Sequence, residues 1–206
     1  MSDISLVEGI TIYVPIFLLS ITIHEFFHAW SANKFGDPTA KNLGRLTLMP
    51  HAHLDLLGTA VFFLSHFTFG WAKPVPVNPF NLKNPARDDF WISFAGPLSN
   101  FGQAIIFGFL FQVLILNYGL QSSYFQTFFQ AGVLINLVLA FFNLIPLFPL
   151  DGSHMLRYFI PDKYDAQMEQ FERYSPFLLL FLFFTGIHSY ILGPLIGPMY
   201  RILLGY

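Results

Sequence analysis

Residues 20–36, SITIHEFFHAWSANKFG, decide how the rest of the chain is read. They close an apolar run that begins near Leu6, yet they place His24, Glu25 and His28 within five positions. An ionisable side chain in hydrocarbon is costly, so such groups are expected to face a partner, a cavity or a cation. On a helix, His24 and His28 stand four residues apart on one face, and both imidazoles can reach a single ion. Glu25 lies about 100° further round the axis, too far aside to join that stripe but near enough to hold a water beside the ion. This is the HExxH arrangement. The plainer reading, polar glue between helices, leaves three ionisable groups in one helix unexplained.

Composition supports the membrane setting. Of 206 residues, 54% are hydrophobic, 19% aromatic and only 11% charged, which marks an all-α polytopic membrane protein rather than a soluble domain. Apolar stretches at about 6–32, 90–118, 124–148 and 176–204 are each long enough to cross about 30 Å of hydrocarbon. A fifth, 54–70, is short and reads as a re-entrant or partly immersed helix. Residues 1–206 are read as one domain, with no internal repeat. The start has acids and no basic segment ahead of the apolar run, so a removable signal peptide is not expected. There is no cysteine, which excludes disulfides, thiolate metal sites and a cysteine nucleophile. A net charge of −2 without a basic cluster argues against a nucleic-acid partner.

A catalytic metal usually takes three protein ligands and keeps one position open. The other histidines are His51, His53, His66, His154 and His188, and the acids set near apolar runs are Asp55 and Asp151. Asp151 stands out because it sits in FNLIPLFPLDGSHML, where Pro146 and Pro149 end the helix that begins at Tyr124.

At this point a resemblance becomes specific. HEFFH, then AGPLSN (95–100), then NLIPLFPLDG (143–152), in this order and context, resemble the site-2 protease family of intramembrane zinc metalloproteases. The likeness covers the chain from the first helix to about Arg157. It is to compact members without a PDZ or CBS domain, and DPTAKNLGRLTLMPHAHLD with GWAKPVPVNP resembles the bacterial branch. The resemblance implies one zinc ion per chain held by His24, His28 and Asp151, Glu25 as general base, and Asn143 as a residue that binds the substrate backbone. It implies hydrolysis of peptide bonds in or next to transmembrane segments of membrane-protein substrates. In GPLSN, Gly96 and Pro97 are assigned to close helix packing, and Asn100 is given no direct catalytic role.

The family also implies a small membrane-associated β-sheet or re-entrant β-loop near the active site. Two segments suit it: NLGRLTLMP, which alternates like a short strand, and the proline-extended AKPVPVNP. An exposed edge there would pair with an unwound substrate. His51 and His53 form an H-x-H pair, which on a strand points both rings to one face and could plug the open metal position; the alternative is a pair of loop histidines. Ser20, His24, His28 and Ser31 form a stripe that would face the cavity.

Topology follows from one constraint. If His28 and Asp151 share an ion, the C-terminal ends of the first helix and of the helix starting at Tyr124 lie on one side. Nine of the ten basic residues fall in segments on that side, all but Arg201. The positive-inside rule then turns the site toward the cytoplasm, with the N-terminus outside, and the resemblance to the bacterial branch implies a bacterial cell membrane. The last apolar stretch should be interrupted at Gly193-Pro194 and Gly197-Pro198. Two rival readings remain at this stage: an inactive binder of transmembrane segments, and a metal transporter.

Overall fold

The computed structural model describes residues 5–67, 69–120 and 122–206. The chain is mostly helical. Helix α1 runs Leu6–Phe35, with a π-helical turn at Gly9–Tyr13. It stops at Gly36, whose positive φ of 112° and N–H bond to the Ala32 carbonyl make a left-handed cap. Then come α2 (Leu56–Leu64), α3 (Pro85–Asn117), α4 (Ser123–Asn143), α5 (Asp151–Arg157), α6 (Asp165–Thr185) and α7 (Ile187–Leu204). By length and composition α1, α3 and α4 can each cross a bilayer, and the bent pair of α6 and α7 can make a fourth span. This is an integral membrane protein. Outward-facing Ile105, Ile106 and Phe109 on α3 are exposed, as lipid-facing side chains are.

The structure differs from the sequence reading in three places. The last apolar stretch breaks at Gly186, not at the later Gly-Pro pairs: Gly186 is left-handed (φ 72°) and turns the chain by 77°. Helix α7 passes through Pro194 and Pro198 unbroken. A proline forgoes one main-chain bond, which a helix held by neighbours tolerates, whereas a left-handed residue is outside the helical region altogether. Helix α4 ends at Asn143 rather than near 148, because Pro146 cannot donate to Phe142 and drives Ile145 away from helical geometry.

The third difference concerns the expected β-sheet. Among the described residues there is no strand, only an isolated antiparallel bridge between Leu54 and Ala72. Pro74, Pro76 and Pro79 each lack an N–H, so the segment cannot donate a regular ladder. Instead the Arg45 guanidinium donates to the Lys73 and Pro74 carbonyls at 2.6 and 3.1 Å, replacing main-chain pairing with a side-chain clamp. Helix α2 has nine residues, about 13 Å at 1.5 Å per residue, less than half of a hydrocarbon core.

Helix α3 is the centre of the molecule and packs against α1, α4, α5 and α7. The largest core cluster joins Phe107, Phe111 and Ile115 of α3 to Phe129, Val133 and Leu137 of α4 and to Leu192, Ile196 and Leu204 of α7. A separate cluster holds α2 on α1 through Phe17, Ile21, Phe62 and Phe67, with the Phe17 and Phe62 rings stacked at 4.1 Å.

Just beyond α1, fully buried Asp37 ties its C-terminal end to the segment before α3. Its carboxylate accepts from the Thr39 N–H and hydroxyl, the Asn78 N–H at 2.7 Å and the Asn81 amide at 2.8 Å. Burial alone would raise its pKa, but the donors from Asn81, Thr39 and Asn78 hold it below the ordinary carboxylate range. A carboxyl whose pKa is lower folded than unfolded contributes stability above the unfolded value, lost as pH falls through the folded one. Asp37→Ala is therefore expected to destabilise the protein by about 1–3 kcal/mol at neutral pH, since it removes the one acceptor shared by the Thr39 N–H and hydroxyl, the Asn78 N–H and the Asn81 amide. Thermal unfolding in detergent should show the gap between wild type and variant closing as pH falls below about 4. A gap that is the same at pH 3 and pH 7 would remove the carboxylate from the explanation.

Candidate metal centre

The site forms where two stripes on antiparallel neighbours meet. On α1 the stripe is Ser20, His24, His28; on α3 it is Ile92, Gly96, Asn100, Gln103, each step one turn of helix. His28 Nδ1 lies 2.7 Å from the Ile92 carbonyl, and His24 Nδ1 lies 2.6 Å from Asn100 Oδ1. Between them Gly96 lets the helices close: a Cβ at this position would run into the Nε2 atoms of both histidines.

With Nδ1 of each ring engaged, the two Nε2 atoms point at one place, 3.0 Å apart. Asp151 arrives there from the start of α5, its Oδ2 3.2 Å from His24 Nε2 and its Oδ1 3.3 Å from His28 Nε2. The reversal that delivers Asp151 needs Gly152, because a Cβ there would press on the Leu144 and Ile145 carbonyls at 2.5 Å. His154 reinforces the docking of α5 on α3 through Asp89, at 3.1 Å.

These distances test whether the donors suit a cation. A main-chain carbonyl only accepts, so the Ile92 contact puts the proton of a neutral His28 on Nδ1 and leaves a lone pair on Nε2. Asn100 offers its carbonyl oxygen to His24 with the same result. Two imidazole lone pairs and a carboxylate then converge, all within 4.8 Å of one another. Acceptors crowded together without donors repel unless a proton or a metal ion joins them, and one ligand atom, Asp151 Oδ2, is buried without a hydrogen-bond partner among the described residues. Two imidazoles and a carboxylate suit zinc or a similar divalent ion. The set fits a metal.

Glu25 is buried next to this cluster and is held from the other side, its Oε2 accepting the Val75 N–H at 2.9 Å. The clamped Lys73–Pro74 segment thus carries the donor that fixes the Glu25 carboxylate.

The remaining sequence candidates lie outside the cluster. His53 is fully buried, with Nε2 2.8 Å from the Thr47 carbonyl, and burial, aided by Arg45, pushes its pKa down. His51 is exposed. Asn143, at the end of α4, donates to the Leu139 carbonyl of its own helix at 3.0 Å. Ser31 bonds back to the Phe27 and His28 carbonyls, and Ser20 is fully buried beneath Gln103 and Asn100.

Asn100 has no assigned role in the sequence, and the structure places its Oδ1 against a ring nitrogen of His24. The signal was present in the spacing of Gly96, Asn100 and Gln103 along one face of α3. The Ile92 carbonyl and the Val75 N–H are main-chain groups that no side-chain pattern announces.

Comparison with known proteins places the chain in a family. Over 185 residues the chain is 43% identical to "Putative zinc metalloprotease YwhC" of Bacillus subtilis, covering 87% of this chain and 83% of that protein. The family model described as "Peptidase family M50" matches residues 113–184. The chain belongs to peptidase family M50, the site-2 protease family. Against another relative, "Zinc metalloprotease MJ0392" of Methanocaldococcus jannaschii, identity is 24% over 164 residues, 78% of this chain but 39% of that longer protein. No solved structure matches the chain. The M50 model's matched segment includes α4, Asn143 and Asp151, whereas HEFFH lies outside it and inside the reach of the geometry above.

Proposed function

We propose that this M50 peptidase is a zinc-dependent intramembrane endopeptidase that cuts peptide bonds in or next to transmembrane segments of membrane-protein substrates. The observation that carries the reading is the convergence of His24 Nε2, His28 Nε2 and the Asp151 carboxylate where α1, α3 and α5 meet, with Glu25 adjacent. Relatives named as zinc metalloproteases support the choice of metal. In this reading His24, His28 and Asp151 hold one zinc ion per chain, and zinc when bound supplies Lewis acidity toward water and the scissile carbonyl.

The chain's own residues do the rest. Glu25 accepts a proton from the attacking water and delivers it to the leaving amine. The Val75 N–H keeps the Glu25 carboxylate turned to its task. Asn100 and the Ile92 carbonyl hold the two imidazoles at fixed angles, so that ligand geometry survives the passage of substrate. Asn143, close in sequence to Asp151 and at the end of α4, binds the substrate backbone. The site faces the cytoplasm, with the N-terminus outside, a reading supported by the excess of basic residues in segments on the site side; the Bacillus subtilis relative supports a bacterial cell membrane.

Reconstitution tests the reading. Purified protein in liposomes, given single-span substrates, is expected to release fragments whose new termini map within or beside the apolar segment. A chelator should abolish release and added zinc should restore it. Cleavage confined to soluble loops would overturn the intramembrane assignment. Zinc flux with no cleavage would make the protein a transporter, and substrate capture with no cleavage would make it a binder.

A further inference from the structure

Asn136 lies in the middle of α4, between Ile135 and Leu137, and is fully buried. An amide at such a depth must find partners within the bundle. Its Nδ2 donates to the Gly132 carbonyl at 2.9 Å, and its Oδ1 accepts from Asn100 Nδ2, also at 2.9 Å. Asn100 Oδ1 then meets His24 Nδ1 at 2.6 Å. The direction of this chain is fixed at its far end. A main-chain carbonyl can only accept, so Asn136 must present its NH2 to Gly132 and its oxygen to Asn100. Asn100 must answer with its own NH2, and its oxygen is left for His24. His24 therefore carries its proton on Nδ1 and keeps the Nε2 lone pair for a ligand bond.

We propose that Asn136 is a positioning residue that sets the tautomer of His24 through Asn100, making a three-residue relay from the Gly132 carbonyl to the metal. His28 reaches the same state in one step, from the Ile92 carbonyl. The two rings differ because Ile92 stands directly opposite His28, whereas His24 faces a side chain that can turn either way. An Asn amide alone is ambivalent: rotated by 180° it would offer NH2 to His24 Nδ1, draw the ring proton to Nε2 and cancel the ligand. Ser20 O, 3.4 Å from Asn100 Nδ2, is too distant to prevent that rotation by itself. Asn136 supplies the acceptor that does.

The inference rests on the proposed zinc site, and its test separates the two. Zinc affinity of the full-length protein in detergent is measured by competition with a chromophoric chelator, alongside thermal unfolding. Asn136→Leu keeps the volume and removes the relay, and is expected to weaken zinc binding about tenfold, the lower end of what lost outer partners cost. Asn136→Asp, protonated at this buried position, offers a carbonyl to Asn100 and a hydroxyl to Gly132, and should bind zinc within about threefold of wild type. In an Asn100→Ala background, Asn136→Leu should add no further loss, because Asn136 acts only through Asn100. If the leucine variant does not fold, Asn136→Ala takes its place. Equal affinity in wild type and in the folded Leu or Ala variant overturns the relay, as does an additive loss in the double variant. If wild type and His28→Ala bind zinc alike, the metal site itself is wrong.

Discussion

Glu25→Gln is expected to keep its zinc and lose its activity, with turnover falling by about 10²–10⁴, the usual worth of a positioned general base. The geometry explains why these effects should separate. The ligand atoms belong to His24, His28 and Asp151, and none of their nitrogen or carboxylate contacts passes through Glu25. Glutamine retains a carbonyl oxygen that can accept the Val75 N–H, so the clamped loop has no reason to move. What the amide lacks is a site that takes a proton from water. Metal analysis per chain and cleavage of a reconstituted single-span substrate read the two halves. Wild-type cleavage would assign the base to another group. Loss of zinc together with activity would make Glu25 a structural residue.

The centre was legible in the sequence to the extent that it is made of side chains at fixed spacings. HEFFH announces a metal pair because helical geometry alone brings i and i+4 together. Asp151 announces itself through the prolines and glycine that force a reversal. Asn100 was visible as a residue but not as a contact: its meaning depends on how α3 slides along α1, and that register is set by Gly96 and by main-chain groups. The β-sheet expectation shows the opposite failure. Alternation in 42–50 and the extended prolines of 72–79 are local signals, and strand pairing is not a local property. Arg45, reaching across to the Lys73 and Pro74 carbonyls, satisfied groups that a ladder would have used. The break at Gly186 is hidden for a related reason, since prolines are the stronger local signal for a helix break, although only the glycine leaves the helical region.

Gly96→Ala should be as damaging to the metal as the loss of a ligand, although it replaces neither a ligand nor the base. A methyl group at this position would meet His24 Nε2 at 2.6 Å and His28 Nε2 closer still. Neither ring can swing aside, because each is pinned at Nδ1, one by Asn100 and the other by the Ile92 carbonyl. Either α3 moves away from α1, which stretches both of those bonds, or the rings leave the position they share with Asp151. Losing the contacts that orient metal ligands costs about 10–100-fold in metal affinity, and with both histidines disturbed zinc affinity is expected to fall by about the upper figure. Gly102→Ala is the control on the same helix: a Cβ there meets nothing within 4 Å, and affinity and stability should stay at the wild-type level. Chelator competition on both variants, with unfolding temperatures to establish that each is folded, decides the matter. Wild-type affinity in folded Gly96→Ala would mean that α3 does not press on the histidines, and the placement of Asn100 and Ile92 against them would fall with it.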